Sequence, residues 1–189
     1  MHPALFYRPG GRLSLPELSA ARLDGDVVEV GEGYIPADAI EGAGARALSL
    51  SPLVPPGTAV SGISAAWVHG AGDAPPGVHH VSRISASRQR IAPSIRVVHH
   101  ERRLCADDVR SISGVWVQTP EATAESLLLS SARSAEDELW LHSLMRITPG
   151  LAEAVRDRVI PLGRRPGANH ARRILERWAS QEVVTRYTS

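Results

Sequence analysis

Lysine is absent from this chain: all 21 of its basic residues are arginine. A phosphate-loop lysine, a Schiff-base lysine and the lysine of restriction-type nucleases are therefore excluded. Cysteine is almost absent. Cys105 stands alone, so no intrachain disulfide can form and a thiolate zinc site is disfavoured. No apolar run approaches the roughly 18 residues of a membrane span, and no basic-then-apolar leader opens the chain. The expectation is a soluble, cytoplasmic protein with no membrane contact. Net charge is also missing, at +1 overall, so bulk charge implies no polyanionic partner.

What is present is segmented. Residues 17–43 hold seven acids against Arg22. Residues 83–103 hold six arginines against Glu101, and residues 156–177 hold seven against Asp157 and Glu176. A GC-rich genome is the ordinary cause of an all-arginine basic complement. Its physical consequence holds regardless, because the planar guanidinium fork can bind two phosphate oxygens at once. A chain of 189 residues makes one domain of ordinary size, with room for a small appendage, and buries roughly 70% of its unfolded surface without a staple.

Ser14-Leu15-Pro16-Glu17 is a capping-box pattern that predicts a helix over 15–22, ended at Asp24-Gly25. Val27, Val28 and Val30, the turn Gly31-Glu32-Gly33, and Tyr34-Ile35 predict a hairpin. Asp38 with Glu41 reads as a second capping box, opening a helix to Leu50. Ser61 is placed to cap a short helix through Trp67 closed at Gly70. Strands are expected at 78–82, 95–100 and 115–118. Thr119-Pro120 marks a strong helix start, Ser134 with Asp137 caps the next helix, and apolar stripes through Leu151–Val159 and Ala171–Trp178 predict two more. The fold class is α+β: a short winged-helix-like helix–hairpin unit over 1–50, an α/β domain with a mixed sheet over 51–130, and a C-terminal helical part over 131–189 packed on it.

The arginines carry the main functional signal. Arg83, Arg88, Arg90, Arg96, Arg102 and Arg103 fall on two strands and the loop between them. Arg164, Arg165, Arg172 and Arg173 fall before and along the last helix. These ten are the candidate DNA contacts. The competing reading is a solvated face, or pairing with the acidic N-terminal unit within the molecule or a dimer. No aromatic residue interleaves either cluster, which disfavours stacking on single strands. His79-His80 and His99-His100 raise a metal site, but side chains alternate along a strand, so at most one member of each pair can share a face. Ser64, in Gly62-Ile63-Ser64-Ala65-Ala66, lacks the second glycine of a nucleophile elbow. Cys105 reads as structural.

The order of the motifs LPELSAARLDGDVVEVGEGYIPAD, ISAAWVHG, PPGVHHVS, IRVVHHERRLCADDV and GVWVQTPEATAESLLL resembles the actinobacterial AbiEi-type antitoxins of type IV toxin–antitoxin systems, over roughly residues 13–130. The resemblance implies a winged helix–turn–helix before an α/β domain, and a non-enzymatic, DNA-binding autoregulator that counters a nucleotidyltransferase toxin. Two departures stand out. About 23 residues precede the hairpin, too few for three helices, and the positions matching the wing hold Asp24, Asp26, Glu29 and Glu32. The nuclease-like domain of longer relatives has no counterpart before Ser189. The expectation is therefore a non-catalytic antitoxin-like regulator without cofactor or metal. It binds double-stranded DNA through its arginines, with a toxin or a second copy as possible protein partner. The alternatives are a protein–protein module using the acidic unit, and a metal-dependent nuclease or hydrolase using the His pairs.

Overall fold

A computed structural model describes residues 5–84, 94–130, 134–163 and 166–187, with side chains as far as Trp178. The chain is α+β, with two sheets and seven α-helices among the described residues. Helix α1 (Leu15–Asp24) begins at the expected capping box: Ser14 accepts from the Glu17 amide, and the Glu17 carboxylate takes the Ser14 N–H at 2.7 Å. Gly25 ends it in the left-handed region (φ 84°), where a side chain would be strained. Strands β1 (Val27–Val30) and β2 (Gly33–Pro36) form the antiparallel hairpin.

Helix α2 (Ala43–Leu50) starts later than the Asp38/Glu41 pattern suggests. Gly42 occupies the cap position without a side-chain bond. Glu41 is instead drawn to the buried Arg46, whose Nε donates to it at 2.6 Å. The Arg46 guanidinium also donates to the carbonyls of Trp67 and Gly72. A buried charge that needs both a counter-ion and acceptors overrides the local capping preference.

The larger sheet has the order β5-β4-β3-β7-β6, from β3 (Thr58–Val60), β4 (His79–Arg83), β5 (Val97–Arg103), β6 (Val109–Ile112) and β7 (Val115–Gln118). It is mixed: β3/β7 and β4/β5 are parallel, β3/β4 and β6/β7 antiparallel. The sequence reading places no strand at 109–112. VRSI is short and only weakly alternating, and its pairing with β7 across the Ser113-Gly114 turn makes it a strand. Helices α3 (Gly62–Val68), α4 (Pro120–Ser130), α5 (Ala135–Ile147), α6 (Leu151–Val159) and α7 (Ala168–Tyr187) complete the chain.

Two apolar clusters hold the structure together, and α3 belongs to both. Its Ile63 and Ala66 join the helical core of Leu127, Leu128, Leu141, Leu144, Val155 and Ile174. Its Ala65, Trp67 and Val68 join Val60, Val115 and Val117 of the sheet, Leu50 of α2, and Val30 and Ile35 of the hairpin. The hairpin thus packs into the main core. Its turn is part of that contact: a Cβ added at Gly31 (φ 52°) would overlap the Ser49 hydroxyl and lie 3.2 Å from the Trp67 ring. Leu18, Val27 and Tyr34 form a small cluster of their own under α1.

An ionic network ties sheet to helices. Glu125 of α4 is buried and accepts from Arg158 of α6 at 2.9 Å and from Arg102 of β5 at 3.2 Å. Arg158 also meets Asp108, before β6, at 2.5 Å. Removing the shared carboxylate takes the counter-ion from Arg102 and leaves Arg158 with Asp108 alone, which is costlier than losing a pair as a unit.

Two stability predictions follow from these contacts. Gly31→Ala should cost about 3 kcal/mol, from the positive φ and the overlap with α2, read from urea unfolding. Glu125→Ala should cost about 2–3 kcal/mol in the same measurement, below the range for a fully buried pair because Arg158 stays a third exposed.

Candidate functional site

Parallel strands β3 and β7 lie side by side, with Val60 opposite Val117, and each turns directly into a helix. Thr119 supports the start of α4 as expected, its hydroxyl accepting from the Ala122 amide at 3.3 Å. Ser61 holds the cap position of α3 but makes no side-chain cap bond; its hydroxyl instead accepts from Ser82 of β4 at 2.8 Å. Between the two junctions sits Gln118, fully buried. Its Oε1 accepts from the Gly62 amide at 3.1 Å, and its Nε2 donates to the Ala122 carbonyl and the Ser126 hydroxyl. Its carbonyl takes the Nε2 proton of His69 at 2.6 Å.

Beside this junction a cleft of about 260 Å³ opens over β4 and β5. Ser61, Gly62 and Gln118 form one end, Ser126, Leu127 and Ser130 of α4 one wall, and Leu104 part of the floor. Strand alternation brings His80 and Ser82 of β4 and His100 and Arg102 of β5 into it, and Asp137 faces them from the first turn of α5. His80 Nδ1 and His100 Nε2 are 3.2 Å apart, with ring centroids at 5.0 Å.

One member of each His pair thus shares the cleft. The other two do not enter it. His79 is buried against Ser64, Nδ1 to Oγ 3.5 Å, and His99 lies 3.7 Å from Glu101. Among the described residues no three His, Cys, Asp or Glu side chains gather into a group that could hold a metal. Ser64 is fully buried and accepts from the His80 amide at 2.9 Å, a tie between α3 and β4. Cys105 is exposed and begins the 3-10 turn before β6.

The candidate DNA contacts divide into three groups. Arg88, Arg90, Arg164 and Arg165 lie outside the described residues. Arg96 and Arg102 are exposed but engaged, Arg96 with Glu32 of the hairpin turn and Arg102 with Glu125. Arg83 is half-buried, its Nε without a hydrogen-bond partner among the described residues. Arg103 is exposed at the end of β5, with only a 3.4 Å contact to the Ile84 carbonyl. On α7, Arg172 donates to Asn169 and to the Gly163 carbonyl, and Arg173 is exposed.

Sequence reasoning missed most of the cleft. The two histidines were legible through the period of two. Gln118, Ser126, Ser130 and Asp137 are ordinary helix and strand residues by sequence, and no spacing rule connects them.

Four histidines titrate below the ordinary imidazole value of about 6.5. Burial lowers His69, His79, His80 and His100 in each case. The Arg110 charge adds to it at His69, Arg96 at His79, and the facing His100 at His80, while Asp137 works against it at His80 and His100. The unfolded chain therefore binds protons that the folded chain refuses. Their contribution to stability is complete above about pH 7 and is lost as the pH falls through 6.5 toward the folded-state values. The Tm should drop between pH 7.5 and 5.5, and a His80→Gln/His100→Gln variant should show a flatter profile in differential scanning calorimetry.

Among the described residues no helix is long and apolar enough to cross a membrane. No curated protein matches the chain. The model of the AbiEi antitoxin C-terminal domain matches residues 58–174, which begins at β3, ends inside α7 and takes in the whole sheet and the cleft. The acidic α1, the hairpin and α2 lie before the matched span. That span is more than half of the sequence, and the chain belongs to the AbiEi antitoxin C-terminal domain family.

Proposed function

We propose that this antitoxin-family chain is a non-catalytic transcription regulator that binds double-stranded DNA through an arginine face spanning the β5 edge and the helical tail. The observation that carries the reading is the exposure of Arg103 on β5 and of Arg173 on α7. Glu125 of α4 meets Arg102 of β5 and Arg158 of α6. Four residues on, the Leu129 carbonyl lies against Gly167, at the entry to α7. Arg88, Arg90, Arg164 and Arg165 add charge to the same two sequence regions. Phosphate contacts of this kind position a protein on a duplex and make its affinity salt-dependent.

The hairpin contributes to this reading by what it withholds. Asp24, Asp26 and Glu29 are exposed and repel phosphate, and Glu32 neutralises Arg96. A second reading rests on the same unit: Leu15, Leu23 and Val28 are exposed beside those acids, a composition suited to a basic protein partner, a toxin or a second copy of the chain.

Fluorescence anisotropy on duplex DNA from the region upstream of its own gene tests the proposal. With 6–10 phosphate contacts, affinity should fall about 10³–10⁵-fold between 50 and 200 mM salt. Arg103→Gln and Arg173→Gln should each reduce the slope of log K against log salt by about 1. Glu32→Gln, which releases Arg96, should leave affinity unchanged or raised. Absence of binding at about 50 mM salt, with the chain folded, would overturn the DNA reading and leave the protein-partner reading.

A further inference from the structure

The cleft over β4 and β5 has chemistry of its own. Arg102 gives one Nη to Glu125, and among the described residues no other acceptor takes its remaining N–H groups. Across the cleft the Asp137 carboxylate has no hydrogen-bond partner among the described residues, although it faces both His80 and His100. Leu104 and Leu127 supply apolar surface between these polar groups. The volume, about 260 Å³, lies just below the range of sites for drug-sized ligands and suits a smaller molecule.

Charge narrows the class of ligand. The cleft imidazoles are neutral near pH 7, since burial disfavours their charged form; of the carboxylates nearby, Glu32 is taken by Arg96 and Glu101 lies against His99. Arg102 is offset by Glu125, and Asp137 remains. A phosphate group would meet Asp137 without a surplus of cations to hold it. A metal ion would find two imidazoles that hydrogen-bond each other and no third ligand gathered with them. An uncharged ring with acceptor atoms on one edge and an amino donor on another satisfies both Arg102 and Asp137 and lays its faces on the leucines. Guanidinium forks bind paired ring acceptors and carboxylates accept from ring amino groups in this way.

We propose that this cleft binds a single nucleobase-type heterocycle, with Arg102 donating to its acceptor edge, Asp137 accepting from its amino group, and the His80–His100 pair closing the remaining side. The inference does not rest on the duplex-binding reading, and failure of one leaves the other standing.

Isothermal titration of the full chain with guanosine, adenosine, cytidine and uridine tests it, with inorganic phosphate and ribose as controls. At least one nucleoside with a ring amino group should bind one-to-one, while uridine, which has none, and both controls should not. Asp137→Asn and Arg102→Gln should each weaken that binding about 5–150-fold. Ser130→Phe, which fills the cleft from the outer part of α4, should abolish it. Trp116→Ala, on β7 and outside the cleft, should leave it unchanged. Because Asp137 and Ser130 carry no bond that ties the fold to another element among the described residues, circular dichroism of these two variants should match the parent, so a loss reports on the cleft. No binding by any nucleoside at about 10 mM, equal binding by phosphate alone, or full affinity in Asp137→Asn and Ser130→Phe would each overturn the proposal.

Discussion

The geometry of the matched domain depends on one buried amide. Gln118 stands where two parallel strands become two helices, and it bonds to both junctions at once: Gly62 at the head of α3, Ala122 and Ser126 in the first turns of α4, and His69 through its own carbonyl. Every polar atom of its side chain is used. An apolar residue there would leave the half-buried Gly62 N–H without its partner, at about 1 kcal/mol, the low end for such a loss, and would remove the bonds that join the head of α3 to the first turns of α4. Since α4 forms the wall of the cleft and carries Glu125, both the cleft and the ionic network take their positions from this one residue.

Charge is organised around the same helix. The chain holds acids at one end and arginines in two later blocks, and folding does not keep them apart. Glu125 collects Arg102 and Arg158, Asp108 takes Arg158 again, Glu41 takes the buried Arg46, and Glu32 reaches Arg96 across 64 positions. Part of the arginine excess is therefore structural. Desolvated ion pairs of this sort are maintained by geometry and by satisfied lone pairs more than by net attraction. What is left exposed, at Arg103 and Arg173 among others, is a smaller positive surface than the sequence count suggests.

The acidic hairpin acquires a definite physical role in this arrangement. A wing that contacts DNA has to project its turn outward. Here Gly31 presses onto Ser49 and Trp67, and Val30 and Ile35 enter the main core. The hairpin covers the end of the sheet domain, and its carboxylates either hold an arginine or face solvent. Its packing serves the interior, while Asp24, Asp26 and Glu29 stay at the surface.

Much of the fold was legible from local patterns. The Ser14/Glu17 capping box, the Thr119-Pro120 start, the Ser134 cap and the valine hairpin each state their structure within a few residues, because caps and turns are satisfied by neighbours in sequence. Asp38 and Glu41 misled for the opposite reason: the buried Arg46 needed a distant set of acceptors, and local capping yielded to it. β6 was invisible because a short edge strand is made by its partner. By itself the sequence determined the α+β class, the exclusion of lysine and disulfide chemistry, the alternation that puts only one histidine of each pair on a face, and the segmentation of charge. Only the tertiary structure decided which histidines meet, which arginines are consumed by carboxylates, and that Gln118, Ser126, Ser130 and Asp137 surround one cleft. Those outcomes depend on groups as many as 64 residues apart brought within a few ångströms by sheet pairing and helix packing, and no local spacing encodes such a distance.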